Sequence, residues 1–227
     1  MIQYTMNTNE EIIAQSIKYF NQHKKDFLEQ YTNGIEAIED KTAIFTAGMS
    51  GVGKTELAIF FTEQNSNLLH IDTDNIREFF RPVGYNGQNS PLFQKAASRG
   101  FSELFSYALK KEYSLIMDSN FANIEVAIQN IERLLKKKYF IKVIYLYDYP
   151  EKCFEYATRR ELITHRKVPE EVFIRSNINS YKTVMKMKEI FQDKVILDFS
   201  DLRHNEVYEN ISTNFLSEKI GDNFDIQ

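Results

Sequence analysis

Residues 48–55 form a glycine-rich phosphate-binding loop of the Walker A type. They read Gly-Met-Ser-Gly-Val-Gly-Lys-Thr and match the pattern G-x-x-x-x-G-K-[ST]. In such loops the backbone N–H groups converge on a phosphate, and the helix that follows adds its positive N-terminal dipole. The lysine contacts the β- and γ-phosphates, and the hydroxyl of the last residue binds Mg²⁺. We therefore expect ATP to be held by Gly48, Met49, Ser50, Gly51, Val52, Gly53, Lys54 and Thr55.

Carboxylates follow two apolar segments that read as strands. Asp72 and Asp74 come directly after residues 68–71, and Asp118 ends the segment that begins at residue 114. Phosphoryl transfer needs a metal ion and a residue that takes the proton of the acceptor hydroxyl. Asp72 or Asp74 can supply that base, and Asp118 can hold Mg²⁺ or its water. The alternatives are structural: a helix N-cap for one of the pair and a turn for Asp118.

Three arginines lie near a polar break between two predicted helices. Arg159 and Arg160 belong to the first helix, and Arg166 opens the segment Arg-Lys-Val-Pro. A hinge at this point would make residues 159–169 a lid, whose arginines neutralise the transferred phosphoryl group as it closes. Surface ion pairs with neighbouring glutamates are the alternative.

The elements that must position these residues alternate between strand and helix. This alternation predicts an α/β fold of the P-loop NTPase or kinase class, with a mostly parallel sheet and helices on both faces. Because ligands bind beyond the carboxyl ends of parallel strands, the loop and the carboxylates should meet at one edge. The strands are expected at residues 42–47, 68–71, 114–117, 141–147 and 195–197.

The domain organisation follows from where the motifs lie. Residues 41–227 carry them and are expected to form the kinase domain, whereas residues 1–40 form a helical segment that packs on the core or extends it. In that segment we expect a helix over residues 9–31 and a short one over 35–39. A last helix is expected over residues 205–218.

Composition excludes several classes of function. The net charge is −4 and the pI is about 5.7, so no nucleic-acid partner is expected. No apolar run is long enough for a membrane span. The single cysteine, Cys153, fits a reducing cytoplasm. The four histidines lack the spacing of metal ligands. The sequence also lacks the Asn-Lys-x-Asp segment that reads guanine, which disfavours a GTPase.

The order of the motifs resembles the zeta toxin kinases, of the type that phosphorylate UDP-N-acetylglucosamine. The resemblance runs from the phosphate loop to about residue 198, roughly two thirds of the chain. The matching segments after the loop are Ile71-Asp-Thr-Asp-Asn-Ile-Arg-Glu78, Phe93-Gln-Lys-Ala-Ala-Ser-Arg-Gly100, Leu115-Ile-Met-Asp-Ser-Asn-Phe-Ala122, Arg159-Arg-Glu161 and Arg166-Lys-Val-Pro169.

The resemblance implies roles for the nucleotide-facing residues. Lys54 and Thr55 would bind ATP and Mg²⁺, and Asp74 would be the base that activates the 3′-hydroxyl of the sugar. Arg159 and Arg166 match the two arginines that clamp the nucleotide phosphates.

It also implies an acceptor site. Glu103 falls where the family has a glutamate that contacts the substrate, and Asp118 matches an acidic strand-end residue. We expect Asp118 to contact both the acceptor and the metal. Asp72 and Asn120 complete the expected acceptor contacts. Similar proteins usually have Gly-Thr where this chain has Ser119 and Asn120, which leaves the identity of the acceptor more open than the kinase chemistry.

The sequence thus favours an ATP-dependent kinase of a UDP-activated amino sugar, acting as a toxin with an antitoxin as possible partner. One alternative is a small-molecule or polynucleotide 5′-kinase of the same fold. Another, from outside the enzymes, is an ATP-binding switch or interaction module. The paired aspartates and the arginines argue against that module, because pure binding needs no base.

Overall fold

The computed structural model describes residues 8–165, 168–221 and 224. Its centre is a six-stranded sheet with the strand order β2-β3-β1-β4-β5-β6. The first five strands run parallel and β6 is antiparallel to β5, so the prediction of a mostly parallel sheet is confirmed. The strands are β1 (Thr42–Gly48), β2 (Leu68–Asp72), β3 (Ser114–Asp118), β4 (Phe140–Tyr147), β5 (Ile196–Asp201) and β6 (Glu206–Tyr208).

Helices surround this sheet. The central strands β1, β3 and β4 are almost entirely buried, as expected for parallel strands covered on both faces. The helices are α1 (Asn9–Gln22), α2 (Lys24–Thr32), α3 (Lys54–Gln64), α4 (Thr73–Glu78), α5 (Ser90–Lys111), α6 (Ile124–Lys136), α7 (Pro150–Thr164), α8 (Glu170–Phe191) and α9 (Thr213–Ile220).

The strand register brings the polar strand ends to one level. Asp72 pairs with Asp118 across β2 and β3, and Gly48 pairs with Leu146 across β1 and β4. The phosphate loop leaves β1 at the same edge of the sheet. The carboxyl edge therefore carries the phosphate loop and the strand-end carboxylates Asp72 and Asp118.

The N-terminal region differs from the prediction of one helix over residues 9–31. Helix α1 ends at Gln22 and α2 begins at Lys24, with non-helical backbone at His23 between them. The break lets Phe20 and Phe27 pack ring against ring, with their centroids 5.2 Å apart. The short helix expected over residues 35–39 is absent from the described chain, which runs there without regular structure. The domain boundary at residue 40 stays a prediction.

The C-terminal region corrects a second expectation. Residues 205–218 do not form one helix, because β6 occupies Glu206–Tyr208 and α9 begins only at Thr213. The Ser212 side chain caps α9 by accepting a hydrogen bond from the Phe215 N–H. Within the described residues, no helix has the length and apolar character needed to cross a membrane.

Candidate active site

The phosphate loop is shaped by two glycines that no other residue can replace without a clash. Gly48 has φ of +130°, and a Cβ there would lie 2.3 Å from the carbonyl oxygen of Leu146. Gly51 has φ of +78°, and its Cβ would lie 2.2 Å from the carbonyl oxygen of Cys153 on α7. The start of the loop is also tied to α8, since the Gly48 N–H donates to Ser180 Oγ over 2.9 Å. The loop is thus held between β4, α7 and α8.

Lys54 is the first residue of α3, and its side chain folds back over the loop. Its Nζ donates to the carbonyl oxygens of Met49 at 2.5 Å and Gly48 at 3.2 Å. Burial lowers the pKa of Lys54 to about 8, and the nearby charge of Asp118 opposes this shift. The ammonium therefore lies at the loop, where it can meet a phosphate.

Asp118 and Thr55 meet at the start of α3. Burial would raise the pKa of Asp118, but interactions with His70 and the Thr55 hydroxyl and the charge of Lys54 outweigh it, so the pKa is lowered. The nearest nitrogen of His70 lies 3.8 Å from a carboxylate oxygen of Asp118. A hydroxyl beside an ionised carboxylate is a set of hard oxygen donors, which fits Mg²⁺.

The two aspartates after β2 have different environments. Asp72 is the N-cap of α4, and its carboxylate accepts from the N–H groups of Asp74 at 2.9 Å and Asn75 at 3.1 Å. Burial, followed by the charges of Asp74 and Asp118, raises the pKa of Asp72 to about 6. Asp72 therefore serves the structural role that the sequence left open, and Asp74 does not cap the helix.

Asp74 instead meets two arginines from different parts of the chain. Arg77, one turn further along α4, donates through Nη1 to Oδ1 of Asp74 and through Nη2 to Gln94 on α5. Arg160 of α7 donates to the other oxygen, Oδ2, over 3.3 Å. Both oxygens of Asp74 thus accept from guanidinium groups.

These groups line one cleft of about 1140 Å³ at the carboxyl edge of the sheet. Of the residues predicted from the sequence, the cleft brings together Ser50, Gly51, Val52, Gly53, Lys54, Thr55, Asp72, Asp74, Asp118, Asn120 and Arg159.

Other predicted residues lie outside the cleft, and Arg159, which lines it, also has a partner on its own helix. Met49 is fully buried, and Glu103 on α5 does not line the cleft but pairs with Lys24 of α2 at 2.8 Å. The side chain of Arg159 is 67% exposed and pairs with Glu155 on its own helix, the surface arrangement weighed as an alternative. Arg166 lies outside the described residues.

Among the polar residues of the cleft that carried no assigned role in the sequence analysis are Arg77, Gln94 and Asp148. Asp148 follows β4 and is buried, with Lys152 Nζ 2.5 Å from its Oδ2. Asp148 could have been found from the sequence, because it follows an apolar strand, much as Asp118 stands at the end of another. Arg77 was visible as a residue three positions after Asp74, a spacing that brings helical side chains together. Gln94 lies in a segment that carries the resemblance, but no local pattern assigned it a role.

A comparison with protein families decides the classification. A model of the zeta toxin family matches residues 25–213. This chain belongs to the zeta toxin family. A search among curated proteins found no match.

Solved structures share the fold of this zeta toxin family member. One, from the PezAT chromosomal toxin–antitoxin system of the human pathogen Streptococcus pneumoniae, has a TM-score of 0.69 at 16% identity, covering 92% of this chain and 88% of that one. Another, AvrRxo1-ORF1:-ORF2 with ATP, has a TM-score of 0.60 at 11% identity and covers 96% of this chain and 74% of the other. At these identities the likeness shows the fold alone.

Proposed function

We propose that this protein transfers the γ-phosphoryl group of ATP to the 3′-hydroxyl of a UDP-activated amino sugar, UDP-N-acetylglucosamine, and acts as a zeta-type toxin in the cytoplasm. Membership of the zeta toxin family supports the reaction class. The observation that carries the mechanism is the position of Asp74, whose carboxylate lies in the same cleft as the phosphate loop and does not cap α4.

The reaction needs few covalent steps from the protein. The acceptor hydroxyl oxygen forms a bond to the γ-phosphorus, the bond from that phosphorus to the bridging oxygen breaks, and ADP leaves. Asp74 takes the proton of the hydroxyl, while Lys54 and the loop N–H groups bind the phosphates. Arg159 and Arg166 are proposed to neutralise charge on the transferred group as residues 159–169 close.

Mg²⁺ fits beside these residues. The Thr55 hydroxyl and the Asp118 carboxylate would hold it, and its charge would neutralise the phosphate oxygens when bound. Asp72 and Asn120 line the cleft and are proposed to contact the sugar nucleotide. Glu103, in contact with Lys24, can join them only if α5 or its side chain moves.

An antitoxin protein is the proposed partner. The PezAT structure belongs to a toxin–antitoxin system, and this supports the same assignment for a chain of that fold and family. We further propose that residues 41–227 are the kinase domain and that residues 1–40 are a helical segment attached to it.

The acceptor is tested by incubating the purified protein with ATP, Mg²⁺ and a panel of UDP-sugars, free sugars, nucleosides and oligonucleotides. Phosphorylation of UDP-N-acetylglucosamine alone is the expected result. Transfer to a nucleoside or to an oligonucleotide 5′-end would show a different kinase of this fold. ATP binding without transfer to any member of the panel would favour a binding module.

The base is tested by Asp74→Asn, which keeps size but cannot take the proton. We expect ATP binding to stay near the wild-type level and turnover to fall at least ~10²-fold, the usual effect of a missing general base. Asp72→Asn is the matched comparison, because asparagine can cap α4 as aspartate does and can still hydrogen-bond the sugar nucleotide, so a far smaller loss of turnover is expected. A fully active Asp74→Asn with an inactive Asp72→Asn would reverse the assignment.

A further inference from the structure

One polar side chain interrupts the apolar run of β2. It belongs to His70, in the segment Leu-Leu-His-Ile-Asp, and it is 20% exposed. In the parallel pairing of β2 with β3, His70 lies opposite Ile116, and Asp72 lies opposite Asp118. Side chains two positions apart on a strand leave it on the same face. His70 and Asp118 therefore share one face of the sheet, with His70 further from the carboxyl edge.

The ring of His70 presents a buried nitrogen to Asp118. Its Nε2 is buried and, within the described residues, has no hydrogen-bond partner. The Oδ2 atom of Asp118 lies 3.8 Å from it, which is longer than a hydrogen bond. This gap is also too short for a bridging water, which needs roughly 4.5 Å or more between the outer atoms. A movement of about 1 Å would give the nitrogen a direct hydrogen bond to Asp118.

The chemistry of the carboxylate sets the direction of this contact. A carboxylate that binds a metal ion is deprotonated, and in that form it accepts hydrogen bonds and donates none. Nε2 of His70 must then carry the ring hydrogen and donate it to Oδ2, which assigns the tautomer from the neighbouring group. The other oxygen, Oδ1, accepts from Thr46 Oγ1 of β1 over 3.3 Å. The sheet thus supplies a donor for each oxygen of Asp118.

We propose that His70 is a positioning residue, which holds the Asp118 carboxylate so that its remaining lone pairs face Mg²⁺ beside Thr55. This inference rests on the proposed function only in placing Mg²⁺ at Asp118 and Thr55. His70 is not itself a metal ligand, because it lines a separate cavity of about 360 Å³ with Tyr31 and Thr62. Donors to a metal-binding carboxylate fix its orientation, and the loss of one typically lowers metal affinity about 10–100-fold.

The experiment measures metal binding directly in the full chain, with ADP bound and Mn²⁺ as a paramagnetic probe for Mg²⁺. Free Mn²⁺ is read from its electron paramagnetic resonance spectrum while the protein–ADP complex is titrated. His70→Leu keeps the approximate volume of the side chain and removes the nitrogen, so we expect the Mn²⁺ dissociation constant to rise about 10–100-fold. The affinity for ADP without metal should stay near the wild-type level, because His70 contributes nothing to the lining of the cleft.

Two further variants separate a hydrogen-bond donor from a side chain that only fills space. The amide nitrogen of glutamine reaches the position of imidazole Nε2, whereas that of asparagine reaches the position of Nδ1. His70→Gln should therefore restore most of the Mn²⁺ affinity, and His70→Asn should not. In phosphoryl transfer, the Mg²⁺ concentration at half-maximal rate should rise in His70→Leu by a larger factor than the maximal rate falls.

Equal Mn²⁺ affinity in wild type, His70→Leu and His70→Asn would overturn the inference and leave the metal site standing. An equal loss in His70→Leu and His70→Gln would also overturn it, because packing and not donation would then be responsible. Asp118→Asn should lose Mn²⁺ in the same assay. If that variant binds Mn²⁺ as well as wild type does, or if wild type binds none, the metal assignment fails together with the inference. The binding measurement contains no acceptor, so a wrong choice of UDP-sugar would not change its result.

Discussion

The ammonium group of Lys54 is placed, and its pKa is set, in a way that favours binding of an anion. It lies against two carbonyl oxygens of its own loop, in surroundings that lower its pKa from 10.5 to about 8. A nearby phosphate stabilises the charged form and raises this pKa again. Nucleotide binding is therefore linked to proton binding at Lys54.

This linkage predicts that ATP affinity falls as the pH rises through 8. Below that pH Lys54 is already charged, whereas above it the binding reaction must take up a proton, so the dissociation constant should rise by up to about tenfold per pH unit until the pKa of the complex is reached. Calorimetric titration at pH 7, 8 and 9 measures the effect. Lys54→Met should bind weakly at every pH and show a flatter profile. A wild-type affinity that is constant across this range would contradict the shift.

At the scale of the element, the short helix α4 holds the proposed base in place through its cap. Asp72 caps α4 and is partly buried; this burial, followed by the charges of Asp74 and Asp118, raises its pKa from 3.8 to about 6. The folded chain thus binds this proton more tightly than the unfolded chain does. The stability contributed by Asp72 is therefore present below pH 3.8 and lost as the pH rises through 6.

Asp72→Asn should consequently stabilise the protein above pH 6. Asparagine caps a helix as well as aspartate and carries no charge to repel Asp74 and Asp118. We expect a higher free energy of unfolding at pH 8, with the gain shrinking towards pH 4, in urea denaturation at several pH values. Asp72→Ala is the control that also removes the cap, which costs about 0.5–2 kcal/mol. Equal destabilisation by both variants at pH 8 would show that charge at this site is unimportant.

At the scale of the whole molecule, the N-terminal helices are packed on the side of the cleft that carries the base. The Phe27 ring is fully buried and stacks edge-on against Phe79, just beyond α4, at 5.1 Å. Tyr31 of α2 donates its hydroxyl to the carbonyl oxygen of Asn75 in α4 over 2.9 Å. Helices α1 and α2 therefore support α4, although they carry no proposed catalytic residue.

Phe27→Ala tests whether these helices fold together with the rest of the chain. Loss of a fully buried phenylalanine typically costs about 3–5 kcal/mol. We expect a decrease of that size in the free energy of unfolding, with one transition seen by both circular dichroism and tyrosine fluorescence. Lys25→Ala, at an exposed position of the same helix, should change it by less than about 0.5 kcal/mol. A separate early transition in Phe27→Ala would mean that residues 1–40 unfold on their own.

The sequence by itself determined those features that depend on residues close together in the chain. The phosphate loop, the strands before Lys54, Asp74 and Asp118, and the carboxyl edge where they meet were all predicted from contiguous residues. Eight neighbouring residues suffice to bind a phosphate, and apolar periodicity reports which faces of an element are buried. The parallel sheet followed because strands and helices alternate along the chain.

Only the tertiary structure decided which of several chemically equivalent side chains enters the cleft. Asp72 and Asp74 differ because α4 begins between them, so one caps the helix and the other faces the arginines. Arg159 and Arg160 are neighbours in sequence, yet successive residues point about 100° apart on a helix, and only Arg160 reaches Asp74. Such choices depend on the angles between elements far apart in the chain, and residue order alone does not specify those angles.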